Sequence, residues 1–258
     1  MNKINALFRD RPRGILSVYF TAGFPRPGDT PAIIRALEAG GAAMIEVGIP
    51  FSDPLADGPV IQQSSAVALR GGMTLERLFA QLALVRDETR VPIVLMGYLN
   101  PIMQYGFENF CRDCRETGVS GMIIPDLPLD DYAREYKPVA DRHDLRVIML
   151  VTPETPDERL RLIDDHAGGF IYMVSSAAVT GARPRFDEEQ LAYFRRINAM
   201  GLRNPRLIGF GISNKPTLDA ASAHASGAII GSKFVSLLAE HESPAEAVQA
   251  LFQALAGE

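Results

Sequence analysis

The chain carries only two cysteines, Cys111 and Cys114, in "NFCRDCRE". Their CxxC spacing invites a redox or zinc reading. Charged residues flank them at helical spacing, no second CxxC follows and no histidine stands nearby, so they read as ordinary helix residues. The four histidines, His143, His166, His224 and His241, are scattered, which suits surface or helix-end positions. No apolar run is long enough to cross a bilayer; "VPIVLMGYL" is among the most apolar and is far too short. The N-terminal "MNKINALFRDRPRG" lacks the apolar core of a signal peptide, so a soluble, cytoplasmic chain is expected. A net charge of −5 offers no basic surplus for nucleic acid or an anionic membrane surface. No GxGxxG follows the first apolar run, which weakens an open dinucleotide-binding sheet. Linkers, low-complexity tracts and close internal repeats are missing too, so residues 1–258 are expected to form one domain.

What is present is a globular composition. Of 258 residues, 47% are hydrophobic and 22% charged, enough for a sizeable core. Eight short apolar runs occur, at residues 15–20, 42–47, 91–96, 120–125, 146–151, 169–174, 205–210 and 227–232. They are nearly continuous in apolar residues, as parallel strands covered on both faces require. Helical signals fall between them. In "LERLFAQLALVR" (75–86), Leu75, Leu78, Phe79, Leu82 and Val85 share one helical face. Thr30-Pro31 offers a helix cap followed by proline, and "TPDE" (155–158) and "SPAE" (243–246) each add a glutamate three residues after the cap. Pro138 is expected to split 130–142 into two pieces. Eight strands alternating with helices over this length predict an α/β (β/α)₈ barrel.

In such a barrel, catalytic groups gather where strands end. Asp126 in "IIPDLP" and Tyr172 in the sixth run fall there, but Glu46 is the most informative. Met44, Ile45, Val47 and Ile49 surround it, no other strand carries a well-placed cation to pair with it, and its ionised form should be poorly solvated. Its pKa should rise, which lets one carboxyl both give and take a proton near neutrality. Asp57, in the turn-like "LADGP", could serve chemistry or simply bond its own turn; Asp53, before Pro54, reads locally as a turn or surface residue. Gly181, Gly209, Gly211 and Gly231-Ser232 follow the sixth, seventh and eighth runs, where barrels cradle phosphate on backbone N–H groups. Arg183 and Arg185 either add charge there or face solvent.

The stretches "YFTAGFP" (19–25), "IEVGIPFSDPLADGP" (45–59), "YMVSSAAVTG" (172–181) and "GFGIS" (209–213), with "PIVLMGYLNPI" and "IIPDLP" between them, resemble the tryptophan synthase α subunit family over nearly the whole chain. The resemblance implies a (β/α)₈ barrel. It implies a cofactor-free retro-aldol cleavage of indole-3-glycerol phosphate to indole and glyceraldehyde 3-phosphate. It places the catalytic glutamate at Glu46 and the catalytic aspartate at Asp57. Tyr19, Leu95 and Tyr172 would line the indole pocket, and Gly181, Gly211, Gly231 and Ser232 would hold the phosphate. It further implies an αββα complex with a pyridoxal-phosphate β subunit that receives the indole. Loop 50–59 would face that partner, with Asp53 as a contact.

Two positions depart from the family pattern. Ala178 stands where a glycine is expected, and Lys233 replaces a small or apolar residue, either reaching the phosphate or pointing to solvent. Other phosphate-binding barrels, such as sugar-phosphate isomerases or indole-glycerol-phosphate synthase, usually place a catalytic lysine at a strand end, and no strand here has one. A stand-alone indole-releasing lyase is closer in sequence. An inactive barrel kept to activate a partner fits poorly with retention of both carboxyls.

Overall fold

The computed structural model describes residues 1–175 and 185–257. Eight strands form one closed barrel in sequence order: β1 (Ile15–Thr21), β2 (Met44–Gly48), β3 (Ile93–Met96), β4 (Val119–Ile123), β5 (Arg146–Val151), β6 (Ile171–Val174), β7 (Arg206–Gly209) and β8 (Gly227–Ile230). Each pairs in parallel with the next, and β8 closes on β1. All eight expected strands are present, within three residues at each end. The expected (β/α)₈ architecture follows from them: short strands buried on both faces, with helices returning the chain.

The helix expected at 75–86 runs Leu75–Ala83, capped by the Thr74 side chain, which accepts from the Arg77 N–H. All five apolar residues of its predicted face are buried. Ser243 and Glu246 form the expected reciprocal cap of the helix Pro244–Ala256. Two other cap readings fail. Thr30 lies inside its helix, which Asp29 precedes, and its hydroxyl instead accepts from the Gly23 N–H at 3.2 Å. Thr155 lies before the helix Asp157–His166, and its hydroxyl bonds the Thr152 N–H at 2.9 Å. Pro138 does not split its segment either. A π-helical turn, Tyr132–Tyr136, precedes it, and the Lys137 N–H reaches back to the Tyr132 carbonyl. The wider turn lets the chain take in a residue without an N–H and continue as helix to Arg142.

A short helix, Lys3–Asp10, has no counterpart among the sequence expectations. Its cap residue Asn2 donates to the Ser120 carbonyl at 2.8 Å and the Asp144 carbonyl at 2.6 Å, fixing the segment beside the starts of β4 and β5. Cys111 and Cys114 are buried in the helix Phe107–Glu116. Burial pushes the Cys111 thiol up to about 12 and Cys114 well above its ordinary value, so neither is a ready thiolate. Among the described residues, no cluster of histidine, cysteine and acidic side chains could hold a metal ion. None of the helices there is long and apolar enough to cross a membrane.

Barrel closure depends on one close approach. A Cβ added at Gly227 would collide with the carbonyl oxygen of Ile15, the residue paired with it across the β1–β8 seam. Gly227→Ala should therefore cost about 3 kcal/mol or more, read as a lower urea midpoint. Gly28→Ala, where a Cβ meets nothing within 4 Å, is the matched control with little change.

Candidate active site

Register determines which side chains meet. Tyr19 pairs with Glu46 across β1–β2, and Glu46 pairs with Val94 across β2–β3. Aligned residues of neighbouring strands share a face, and residues two apart along a strand share it too. Ser17, Tyr19, Glu46, Val94 and Met96 are therefore on one side of the sheet. Tyr19 and Met96 line a cavity together with Asp57, Tyr172, Gly211 and Gly231, so that side is the barrel interior. Leu95 falls on the opposite side, paired with Val47. The expectation that Leu95 lines the pocket is thus corrected by one residue: Met96 takes that place, because strand side chains alternate.

Glu46 is wholly buried. One carboxyl oxygen, Oε1, accepts from the Ser17 hydroxyl at 2.8 Å, while Oε2 is buried without a partner. None of the ion pairs among the described residues includes it. Burial pushes its pKa from 4.5 to about 7, against the smaller opposing effect of the Ser17 bond. At neutral pH this carboxyl is poised between its two forms.

Asp57 sits on the loop between β2 and the helix Pro59–Arg70, with Gly58 as that helix's cap. Burial raises its pKa, and a hydrogen bond from Tyr98 opposes the rise. The Tyr98 hydroxyl donates to Asp57 Oδ2 at 3.0 Å and accepts from the Ala56 N–H at 2.9 Å. Phe51 packs against the Tyr98 ring, centroids 5.2 Å apart. Tyr98, just after β3, thus clamps the loop that carries Asp57. Sequence reasoning passed over it, although "GYLNPI" places a tyrosine two residues past a strand end. Glu46 and Asp57 both raise the pKa of the Tyr19 and Tyr172 phenols beyond the effect of burial, so the two carboxyls act on one end of the barrel. Each of these tyrosines lies over a glycine of the neighbouring strand. A Cβ on Gly48 would strike the Tyr19 ring, and one on Gly209 the Tyr172 ring.

Gly211, with φ +72°, and Gly231-Ser232 line the same cavity. Lys233 lines it as well. Arg185 is exposed and is not part of the lining. Asp53 is exposed on the loop surface, bonded by the Ser52 hydroxyl, and is not part of the cavity either. Asp126 accepts from the Leu99 N–H at 2.8 Å, a loop-bracing role. Ala178, Gly181 and Arg183 lie outside the described residues.

A closed parallel barrel with a desolvated carboxyl in its interior, and a second on the loop after the same strand, is the architecture of a (β/α)₈-barrel enzyme. The family model for the tryptophan synthase alpha chain matches residues 6–258. A tryptophan synthase alpha chain of Parabacteroides distasonis is 66% identical over 255 residues, covering 99% of each chain. One from Phocaeicola vulgatus is 61% identical over 256 residues, again covering 99% of each. The crystal structure of the Legionella pneumophila alpha chain superposes with a TM-score of 0.88 at 32% identity, over 99% of this chain and 96% of that one. The tryptophan synthase complex of Pyrococcus furiosus contains a chain with a TM-score of 0.86 at 35% identity, over 95% of this chain and 99% of that one. The chain belongs to the tryptophan synthase alpha chain family.

The Glu46 environment carries a stability signature. In the unfolded chain this carboxyl ionises near 4.5, and in the folded one near 7. Between those values the unfolded chain has lost a proton that the folded chain keeps, so stability falls as pH rises through that window. Below about 4.5 the penalty is absent. Glu46→Gln keeps an oxygen for Ser17 and has no charge to bury. It should be more stable to urea than the wild type at pH 8, by on the order of 3 kcal/mol, and show no such gain at pH 4. A difference independent of pH would refute the desolvated-carboxyl reading.

Proposed function

We propose that the chain cleaves indole-3-glycerol phosphate to indole and glyceraldehyde 3-phosphate, with Glu46 and Asp57 as its catalytic residues. The observation that carries this reading is Glu46: a fully buried carboxyl with one free oxygen and a pKa near 7. Cleavage needs a proton delivered to indole C3 and another removed from the side-chain hydroxyl next to the breaking bond. Protonation at C3 converts the ring to an indolenine cation. The electrons of the C3–carbon bond then return to the ring as that bond breaks, and the hydroxyl carbon becomes the aldehyde. One proton enters and one leaves, so a single carboxyl that donates the first and accepts the second ends the turnover in its starting form. Glu46 has the environment for that work.

The indolenine places positive charge near N1. Asp57, held by Tyr98, is the group suited to accept the N1–H bond and stabilise that charge. Tyr19, Met96 and Tyr172 supply the apolar walls for a flat bicyclic ring. Gly211, Gly231 and Ser232 supply the phosphate end, and Gly181 belongs with them on the family pattern. The apolar Leu55, 91% exposed two residues before Asp57, and the exposed Asp53 support the loop as the contact with a β subunit in an αββα assembly. A biosynthetic enzyme of this kind works in the cytoplasm.

The test is an indole-release assay on the purified chain with and without β subunit. Glu46→Gln should lower kcat by about 10³-fold or more while substrate still binds; normal turnover would sink the assignment. Asp57→Asn should slow cleavage by about 10²- to 10³-fold. Tyr98→Phe removes the donor that favours ionised Asp57. The Asp57 pKa should then rise further, and the acid limb of the kcat/KM profile should move to higher pH. An acid limb that stays in place would show that Tyr98 does not tune Asp57.

A further inference from the structure

We propose that Lys233 is the cationic anchor for the substrate's phosphate, adding a point charge to the backbone cradle of Gly211, Gly231 and Ser232. This rests on the phosphorylated-substrate reading above. Among the described residues that line the cavity, only Asp57 and Lys233 carry charge. Asp57 and the buried Glu46 nearby are acidic, and the chain as a whole carries −5. Without Lys233, a phosphate dianion entering this site would meet only acidic side chains among the described charged groups.

The placement of Lys233 is costly unless an anion is bound. It is the second residue of the helix Ser232–Glu240, whose N-terminal end already carries partial positive charge. A cation there is disfavoured, and the first turn holds no acidic side chain to offset it. Lys233 is half-buried, and no ion pair of the described residues includes it. The cap residue Gly231 has no side chain to bond the first-turn N–H groups. Those donors and the ammonium therefore serve one anion together. The backbone fixes its position, while the flexible lysine follows its charge without imposing a geometry.

Three variants test this: Lys233→Ala, Lys233→Gln, which keeps a polar side chain one bond shorter and without the charge, and Lys233→Arg. Glycerol 3-phosphate is the probe, its binding measured by calorimetry beside the KM for indole-3-glycerol phosphate. Both neutral variants should weaken glycerol 3-phosphate binding and raise KM about tenfold, as loss of one charged contact implies. Their kcat should change less than about twofold, since the phosphate is remote from the breaking bond. Lys233→Arg should restore most of the affinity, and added salt should weaken wild-type binding more than that of the neutral variants. Unchanged glycerol 3-phosphate affinity in Lys233→Gln, with its urea midpoint intact, would overturn the proposal. A wild-type chain that binds glycerol 3-phosphate through Lys233 yet releases no indole, with or without β subunit, would instead overturn the cleavage reading and leave the anchor standing.

Discussion

A carboxyl inside a dry barrel cannot ionise at its usual pH, and most of this site follows from that constraint. Glu46 has apolar strand neighbours, one hydroxyl partner and no cation. A lysine or arginine in pairing range would hold it ionised and useless as an acid. A site with no hydrogen bond at all would push it far above neutrality. Ser17 moderates the rise, so the group stays close to the pH at which an enzyme works. Its orphaned oxygen is a standing free-energy cost, of the kind that folded proteins retain at functional sites.

The second carboxyl is positioned by different means. Asp57 is on a loop, and loops need bracing before they can hold a charge in one place. Tyr98 provides the brace from the next strand along, joining the carboxylate, the Ala56 N–H and the Phe51 ring in one contact. The same loop leaves Leu55 in water. Under the proposed function, chemistry and partner surface would share this one short segment. Glycines, the start of the helix Ser232–Glu240 and Lys233 line the same cavity, and Lys233 is the one cationic side chain of the described lining.

Much of this was legible beforehand. The eight apolar runs fell within three residues of the strands because parallel strands buried on both faces leave an unbroken hydrophobic trace. Glu46 stood out because a carboxyl in such a trace, with no well-placed cation to pair it, is costly to bury. The errors have physical causes as well. Leu95 and Met96 are equally apolar, and only the pairing of Glu46 with Val94 shows which of them faces inward. Thr30 and Thr155 carry cap-forming side chains but bond other loop N–H groups, a choice made by the surrounding chain. Pro138 reads as a helix breaker until a π turn supplies the extra room. Tyr98 stands in sequence only as a tyrosine past a strand end, and its partners lie more than forty residues away.

By itself the sequence determined the barrel and the family and singled out the two carboxyls as candidates, because hydrophobic periodicity and a long specific motif are properties of the chain's order. The tertiary structure alone decided which face each strand residue takes, that Tyr98 clamps Asp57, and that Lys233 stands at the cavity without a carboxylate. Those depend on register and on contacts between distant segments. A one-residue difference in register reverses every side chain, and no local pattern records it.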